Sequence, residues 1–308
     1  MIDFKKYKKN VIAQSDKMIP KILSYFGLGD YIDTPVLLKG GVANINYLVK
    51  NKKSDFYVIK IFLNKKINNL ENELLIQNQL NKNGISCPEY IKGNTGNYLF
   101  KKDKITAVAY KFIPGIECCN ITNKFCYGMG KVIAEFHKSV TYLEHPHRGW
   151  LNRNSDVIIS TDEVASYKVT KLISNLSDLK NINESIIYNT DLPGGIIHGD
   201  LYEGNVLVDT KKNNSIVAIF DFEHSEENIL ILDLARAILS IAENGQSLDK
   251  QMIQSTIDGY NSIRQLSSFE IKLLPNVIRY VAGTGGLWLI KHGEIKLAQN
   301  YLAKGLSI

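Results

Sequence analysis

The hydrophobic rhythm of the chain changes twice. Apolar residues first recur at three- and four-residue steps, at Ile12, Met18, Ile19, Ile22, Leu23 and Phe26, until Gly27 and Gly29 interrupt them. That spacing lays an apolar stripe along a helix, so the opening of the chain reads as a helical cap or flank. Shorter runs rich in β-branched and aromatic residues follow at 36–39, 45–50, 56–62, 97–101 and 106–113, separated by Gly, Asn and Lys turns. They predict an antiparallel sheet of about five strands, interrupted by a helix over 68–83. Phe112-Ile113-Pro114-Gly115 closes this section, because Pro and Gly together break a strand ladder. Helical periodicity then dominates over 125–140, 163–179, 229–243, 248–264, 268–291 and 294–306, with short β runs at 195–198, 206–209 and 216–220. The predicted class is α+β, with a β-rich N-lobe over 1–113 and a mainly helical C-lobe over 114–308 that meet at a cleft.

Composition narrows the class of protein without choosing a function. With 44% hydrophobic and 22% charged residues, the 308-residue chain has the make-up of an ordinary globular protein, not of a disordered or fibrous one. The net charge of +6 comes from 37 Lys and Arg against 31 Asp and Glu, spread along the chain. Lys5-Lys6-Tyr7-Lys8-Lys9 and Lys50-Asn51-Lys52-Lys53 lack an aromatic stacking motif, so they read as solvated faces and no nucleic-acid partner is expected. Cys87, Cys118, Cys119 and Cys126 form no Cys-x-x-Cys pair and have no histidines at zinc spacing, which makes them reduced packing thiols. No apolar leader follows the first charges and no apolar run reaches the ~18 residues of a membrane span, so a cytoplasmic protein without a membrane partner is expected. The pattern specifies no oligomeric state.

Chemistry enters at 194–209. His198-Gly199-Asp200-Leu201-Tyr202-Glu203-Gly204-Asn205 follows an apolar strand and reads His-x-Asp-x-x-x-x-Asn, the spacing of a kinase catalytic loop. Downstream, the strand Ile216-Val217-Ala218-Ile219-Phe220 delivers Asp221-Phe222-Glu223, where a second metal-binding aspartate belongs. Phosphoryl transfer needs a carboxylate to orient the attacking hydroxyl and oxygen ligands to hold Mg²⁺ against the phosphates of ATP. Asp200 is then the base, and Asn205 and Asp221 the metal ligands. A plain turn would account for Asp200 and Asn205, and a strand-end cap for Asp221, but strand, spacing and second aspartate together favour the catalytic reading. His198 is expected to hold the loop by hydrogen bonding.

Three further features fit a nucleotide site. Tyr57-Val58-Ile59-Lys60-Ile61-Phe62 puts Lys60 in a strand like the Val-Ala-Ile-Lys strand of kinases. Glu73 falls ~20° from the mean direction of the apolar residues of its helix, whereas Glu71 lies ~140° away, so Glu73 is the partner expected for Lys60. An ordinary helix-face glutamate is the alternative. The hairpin around Gly40, Gly41 and Asn44 offers backbone that could approach phosphates closely, although it departs from Gly-x-Gly-x-x-Gly and alone would be only a β-turn.

With these residues the chain resembles the aminoglycoside phosphotransferase and choline kinase superfamily, over Val36 to Leu306. The marks are Gly40-Gly41 with Asn44 and Tyr47, Lys60, Glu73, Gly84-Ile85-Ser86-Cys87-Pro88, Phe112-Ile113-Pro114-Gly115, the loop from His198 to Asn205, and Asp221-Phe222-Glu223. Asp-Phe-Glu in place of Asp-Phe-Gly, and the absence of Ala-Pro-Glu, argue against a protein kinase. Asp233-Leu234-Ala235 looks like the superfamily's helix-opening aspartate, which would brace the catalytic loop; a helix N-cap is the alternative. His147-Arg148-Gly149-Trp150 after Phe136-His137, and Gly259 to Ser267 before a Trp288-bearing helix, are most similar to homoserine kinases of this fold. Those kinases usually carry His-Ala-Asp-Leu-Phe-Pro-Asp-Asn, and this chain departs from that string at Gly199, Tyr202, Glu203 and Gly204.

The resemblance implies a protein-kinase-like fold that moves the γ-phosphate of ATP, with Mg²⁺, to a hydroxyl of a small molecule. Homoserine or a similar amino alcohol comes first, with an aminoglycoside, choline or a sugar as alternatives. Glu223 would meet a substrate ammonium, and Trp150 or Trp288 would line the cleft. A pseudokinase-like nucleotide-binding module is the non-enzymatic rival, countered by joint retention of Lys60, Asp200, Asn205 and Asp221. A nucleic-acid-binding scaffold would rest on the positive charge alone.

Overall fold

In a computed structural model, which describes residues 4–38, 44–63, 70–143, 192–212 and 215–308, the β-rich runs pair into an antiparallel sheet of five strands in the order β1-β2-β3-β5-β4. The strands are β1 (Val36–Leu37), β2 (Asn44–Lys50), β3 (Phe56–Phe62), β4 (Phe100–Lys102) and β5 (Ile105–Lys111), with α2 (Leu70–Lys82) between β3 and β4. Side chains alternate across a strand. Ile45, Tyr47 and Val49 of β2, Ile59 and Ile61 of β3, and Ile105, Ala107 and Ala109 of β5 therefore share one face. That face joins Met18, Ile19, Ile22, Leu23 and Phe26 in one buried cluster, and all but Phe26 belong to helix α1 (Phe4–Tyr25). Each large apolar side chain buried this way contributes about 1.5–3 kcal/mol, and the same alternation sends Lys60 to the opposite face. The expected strand at 97–101 lies further on, because Gly93 donates to the Asn97 carbonyl in a turn, and the Tyr25 hydroxyl bonds the carbonyls of Asn97 and Leu99.

The sheet belongs to a unit formed by Met1–Asn81 and Cys87–Pro114; Lys82–Ser86 and Gly115–Ile308 form a second. In the second unit α3 (Asn123–Val140) is capped by the Thr122 side chain, which accepts from the Phe125 amide. Two antiparallel pairs follow: β6 (Gly194–Ile197) with β9 (Glu226–Ile229), and β7 (Val206–Asp209) with β8 (Ser215–Ile219). β9 is absent from the sequence expectation because Glu226-Glu227-Asn228-Ile229 has no apolar alternation; pairing with β6 decides its conformation. The rest is α4 (Ile231–Ile241), a small hairpin of β10 (Glu243–Asn244) and β11 (Ser247–Leu248), then α5 (Lys250–Asn261), α6 (Ser268–Lys291) and α7 (Ile295–Leu306). The helix expected at 163–179 lies outside the described residues.

Helix α4 is apolar nearly all round, with Ile231, Leu232, Leu234, Ala235, Ala237, Ile238 and Leu239 buried. Burial also governs the thiols: it pushes Cys87 up to about 12 and Cys126 up to about 11, which leaves both inert packing groups. All four cysteines are free. No described helix is long and apolar enough to cross a membrane.

Helices α3 and α5 touch backbone to backbone, through a glycine on each. A Cβ on Gly130 would sit 1.9 Å from the Thr256 carbonyl oxygen, and one on Gly259 would sit 1.9 Å from that of Tyr127. Helix propensity favours Ala over Gly by about 1 kcal/mol, but the clash with rigid backbone outweighs it. Gly259→Ala should lose about 2 kcal/mol or more in urea unfolding. Gly128→Ala on α3, where a Cβ meets Ile216 no closer than 3.6 Å, should be neutral or stabilising. Equal stability of the two variants would contradict the close crossing.

Candidate active site

Strand β6 ends at Ile197, and the chain turns through Gly199 at φ +81°, the left-handed region that favours glycine. Space demands the same residue, since a Cβ there would lie 2.2 Å from the His224 carbonyl oxygen. The fully buried His198 ring clasps the loop from within: Nε2 lies 2.9 Å from the Phe220 carbonyl oxygen, and Nδ1 accepts the Asp200 amide at 3.3 Å. Nε2 is therefore the protonated nitrogen of a neutral ring, and burial pulls its pKa below the ordinary histidine value. Leu201 is buried, and the turn Glu203–Asn205 leads into β7.

Asn205 ties the two ends of this turn together. Its Nδ2 donates to the Asp200 backbone carbonyl at 2.7 Å and to the Asp200 carboxylate at 3.1 Å, which leaves Oδ1 as its acceptor atom. Strand β8 delivers Asp221 beside the turn, and Asp221 occupies the left-handed region at φ 67°, ψ 71°, a conformation that costs an aspartate of order 1 kcal/mol. Phe222, next in line, is buried and stacks on Phe136 of α3 with centroids 6.2 Å apart and ring planes 7° from parallel. Burial pushes the Asp200 carboxyl above the ordinary carboxylate value, and Asp221 pushes the same way, while His224, Asn205 and Arg236 oppose them. Two carboxylates that repel one another make a position where a cation is favoured.

The loop hangs from Asp233, on the first turn of α4. One carboxylate oxygen accepts the His198 amide at 2.7 Å and the other the Gly199 amide at 2.9 Å. The N-cap position of α4 is Leu230, so Asp233 braces the loop and does not cap the helix. His137 of α3 lies 3.1 Å from the same carboxylate through Nε2, and its Nδ1 is 2.9 Å from the Tyr260 hydroxyl of α5. Arg264 donates to that hydroxyl and to Glu270, whose other oxygen closes the capping box with Ser267 at the start of α6. Burial alone would raise the Asp233 carboxyl, but the His137 hydrogen bond and charge, with His198 and Arg236 behind them, hold it below the ordinary range.

Lys60 is buried on β3, across from Asn46 and Val108 and over the Phe62 ring. Glu73 is buried on α2 and accepts the Tyr90 hydroxyl at 2.8 Å, whereas Glu71 is exposed. Asn44 is buried at the start of β2. Gly40, Gly41 and Trp150 lie outside the described residues. Glu223 sits in the turn after Asp221, 3.6 Å from His224 Nε2. Trp288 is exposed on α6, its ring stacked on His292, and no hydrogen bond, ion pair or ring contact among the described residues links it to the loop. The sequence marks Glu203, Tyr260 and Arg264 only as parts of family-like segments, without a role, and does not single out Ser240 or Arg236. Helical spacing from Asp233 was the available signal for Arg236 and Ser240, which follow it by three and seven residues.

Among the described residues no group of three His, Cys, Asp or Glu side chains could hold a metal. Asn205 Oδ1 and the Asp221 carboxylate, the candidate ligands, are hard oxygen atoms of the kind that divalent cations such as Mg²⁺ take together with substrate phosphates.

An antiparallel-sheet N-lobe followed by a helical C-lobe that carries this loop is the protein-kinase-like fold. A family model described as the phosphotransferase enzyme family matches residues 35–266, and the chain belongs to that family, as a phosphotransferase acting on small molecules. It is similar to the homoserine kinase of Methylobacillus flagellatus, 26% identical over 279 residues that cover 90% of this chain and 84% of the relative. Among solved structures it resembles an amicoumacin kinase in complex with AMP-PNP and Ca²⁺, at a TM-score of 0.73 and 14% identity over 96% of this chain and 95% of that one. A microcompartment-associated aminopropanol kinase matches at a TM-score of 0.71 and 18% identity, over 94% of each chain.

A group with a lowered folded pKa stabilises fully above its unfolded value, and that stability is lost as pH falls through the folded one. Asp233→Asn should therefore cost about 3 kcal/mol in urea unfolding at neutral pH, a gap that narrows only in acid below the ordinary carboxylate range. A gap that closed between pH 7 and pH 6 would assign the effect to a histidine.

Proposed function

We propose that the protein is an ATP- and Mg²⁺-dependent kinase whose acceptor is the hydroxyl of homoserine or a closely similar amino alcohol. The observation that carries the reading is the Asn205 amide bonded to the Asp200 carboxylate, with the charge of Asp221 beside it, on a loop fixed by Asp233. Asp200 orients the acceptor hydroxyl and takes its proton as the phosphoryl group transfers. Oδ1 of Asn205 and the Asp221 carboxylate are the proposed metal ligands. Mg²⁺, when bound, neutralises charge that develops on the phosphates. Lys60 is the proposed cation for the nucleotide phosphates, with Glu73 to position it and the backbone of Gly40, Gly41 and Asn44 as a phosphate cradle. Glu223 would meet the acceptor's ammonium.

Homoserine ranks first because the homoserine kinase of Methylobacillus flagellatus aligns over most of both chains, and the aminopropanol kinase likeness also supports a short amino alcohol. Purified protein offered ATP with homoserine, choline, an aminoglycoside or a neutral sugar should phosphorylate homoserine best. Turnover of the sugar alone would overturn amine recognition. Asp200→Asn should lower kcat about 10³-fold with little change in KM for ATP, and near-normal turnover would remove Asp200 from the mechanism. Asp221→Asn should raise the Mg²⁺ concentration needed for half-maximal rate about tenfold or more, because a charged ligand is lost; an unchanged requirement would contradict metal ligation by Asp221.

A further inference from the structure

One buried face of α4 follows the catalytic loop. Asp233, Arg236 and Ser240 are spaced by three and four residues, so they form one stripe on the helix. At one end of the stripe Asp233 holds the amides of His198 and Gly199. At the other, the Ser240 hydroxyl donates to the Glu203 carboxylate. Arg236 therefore sits between two anchors that grip residues 198–203, and Asp200 lies between those grips. Its charge acts accordingly, as one of the groups that favour the ionised Asp200.

The charge of Arg236 favours ionised Asp200 and Asp233, but that action does not satisfy the guanidinium's own N–H donors. The residue is half-buried, and Nη1 is closed off from solvent without a hydrogen-bond partner. No hydrogen bond or ion pair to Arg236 exists among the described residues. The two Asp233 oxygens, which feel the Arg236 charge, already take the His198 and Gly199 amides and the His137 ring. A partly desolvated guanidinium is costly to leave without an anion, and its planar fork matches a carboxylate.

We propose that Arg236 receives the carboxylate of the acceptor substrate, so that the enzyme selects a hydroxy amino acid over the amino alcohol that lacks the carboxylate. The assignment rests on the reading of the acceptor as homoserine. It divides the labour in the site: Asp200 addresses the hydroxyl and Arg236 the opposite, anionic end of a short substrate. A fixed carboxylate also limits which hydroxyl can reach Asp200, because one carbon more or less between them would misplace the nucleophile.

The test compares L-homoserine with 3-amino-1-propanol, the same chain without its carboxylate, on the full-length enzyme with ATP and Mg²⁺. Wild type should favour homoserine in kcat/KM by about 30-fold or more, the scale of a desolvated charge pair. Arg236→Met should lower kcat/KM for homoserine about 30-fold more than for 3-amino-1-propanol, chiefly through KM, and Arg236→Lys should keep part of the preference. Equal losses for both acceptors, or a loss confined to KM for ATP, would overturn the role of Arg236 while homoserine stood as the acceptor. Wild-type turnover of 3-amino-1-propanol but not of homoserine would instead overturn the choice of acceptor, and this assignment with it. Should Arg236→Met fail to fold, homoserine amide given to the wild type decides the matter. Loss of the preference supports the assignment, and equal use of acid and amide contradicts it.

Discussion

A single buried carboxylate organises the second unit. Asp233 sits on the most apolar of the described helices, where an isolated charge would be prohibitively costly. Two backbone amides of the loop and one imidazole compensate it, at 2.7, 2.9 and 3.1 Å. The compensation runs in both directions. Asp233 needs the loop in order to remain ionised inside α4, and the loop needs Asp233 in order to hold Gly199 in its left-handed turn under the His224 carbonyl. Loop geometry is thereby coupled to the stability of the hydrophobic core.

The coupling extends outward through neutral and charged donors in a fixed order. Arg264 donates to the Tyr260 hydroxyl, Tyr260 faces Nδ1 of His137, and Nε2 of His137 faces Asp233. This order requires α3 and α5 to lie close together, which the reciprocal glycine contacts at Gly130 and Gly259 allow. The stacked Phe136 and Phe222 rings support the other side, where Asp221 leaves β8 in a strained conformation. Strain on a metal-binding candidate is tolerable because its neighbours are fixed, Phe222 by burial and Phe220 by its amide's bond to the Asn205 carbonyl.

Much of this was legible in the sequence, for reasons that differ by element. Strand β2 alternates and β3 is a near-continuous apolar run, and their limits differ from the expectation by at most one residue, because one sheet face is buried against α1. Helix α6 matches its predicted span of 268–291, helped by the Ser267–Glu270 capping box. The burial of Glu73 and the exposure of Glu71 follow from helical phase alone. The His198 to Asn205 spacing could be read directly, as could an aspartate at 221. Contacts between distant segments could not: His137 and Asp233 are 96 residues apart, and His137 and Tyr260 123. Nor does any local pattern reveal β9, whose conformation comes from its partner strand, or the buried Nη1 of Arg236 without a hydrogen bond, which depends on what its neighbours have already bonded.

The central claim, that Asp233 fixes the catalytic loop through its backbone, is most directly tested by native-state hydrogen exchange at two amides of the wild-type protein. The His198 and Gly199 N–H groups should exchange only through openings as rare as those that expose the interior of α4, despite their place in a loop. Exchange at the rate of a solvent-exposed loop at either amide would contradict the account.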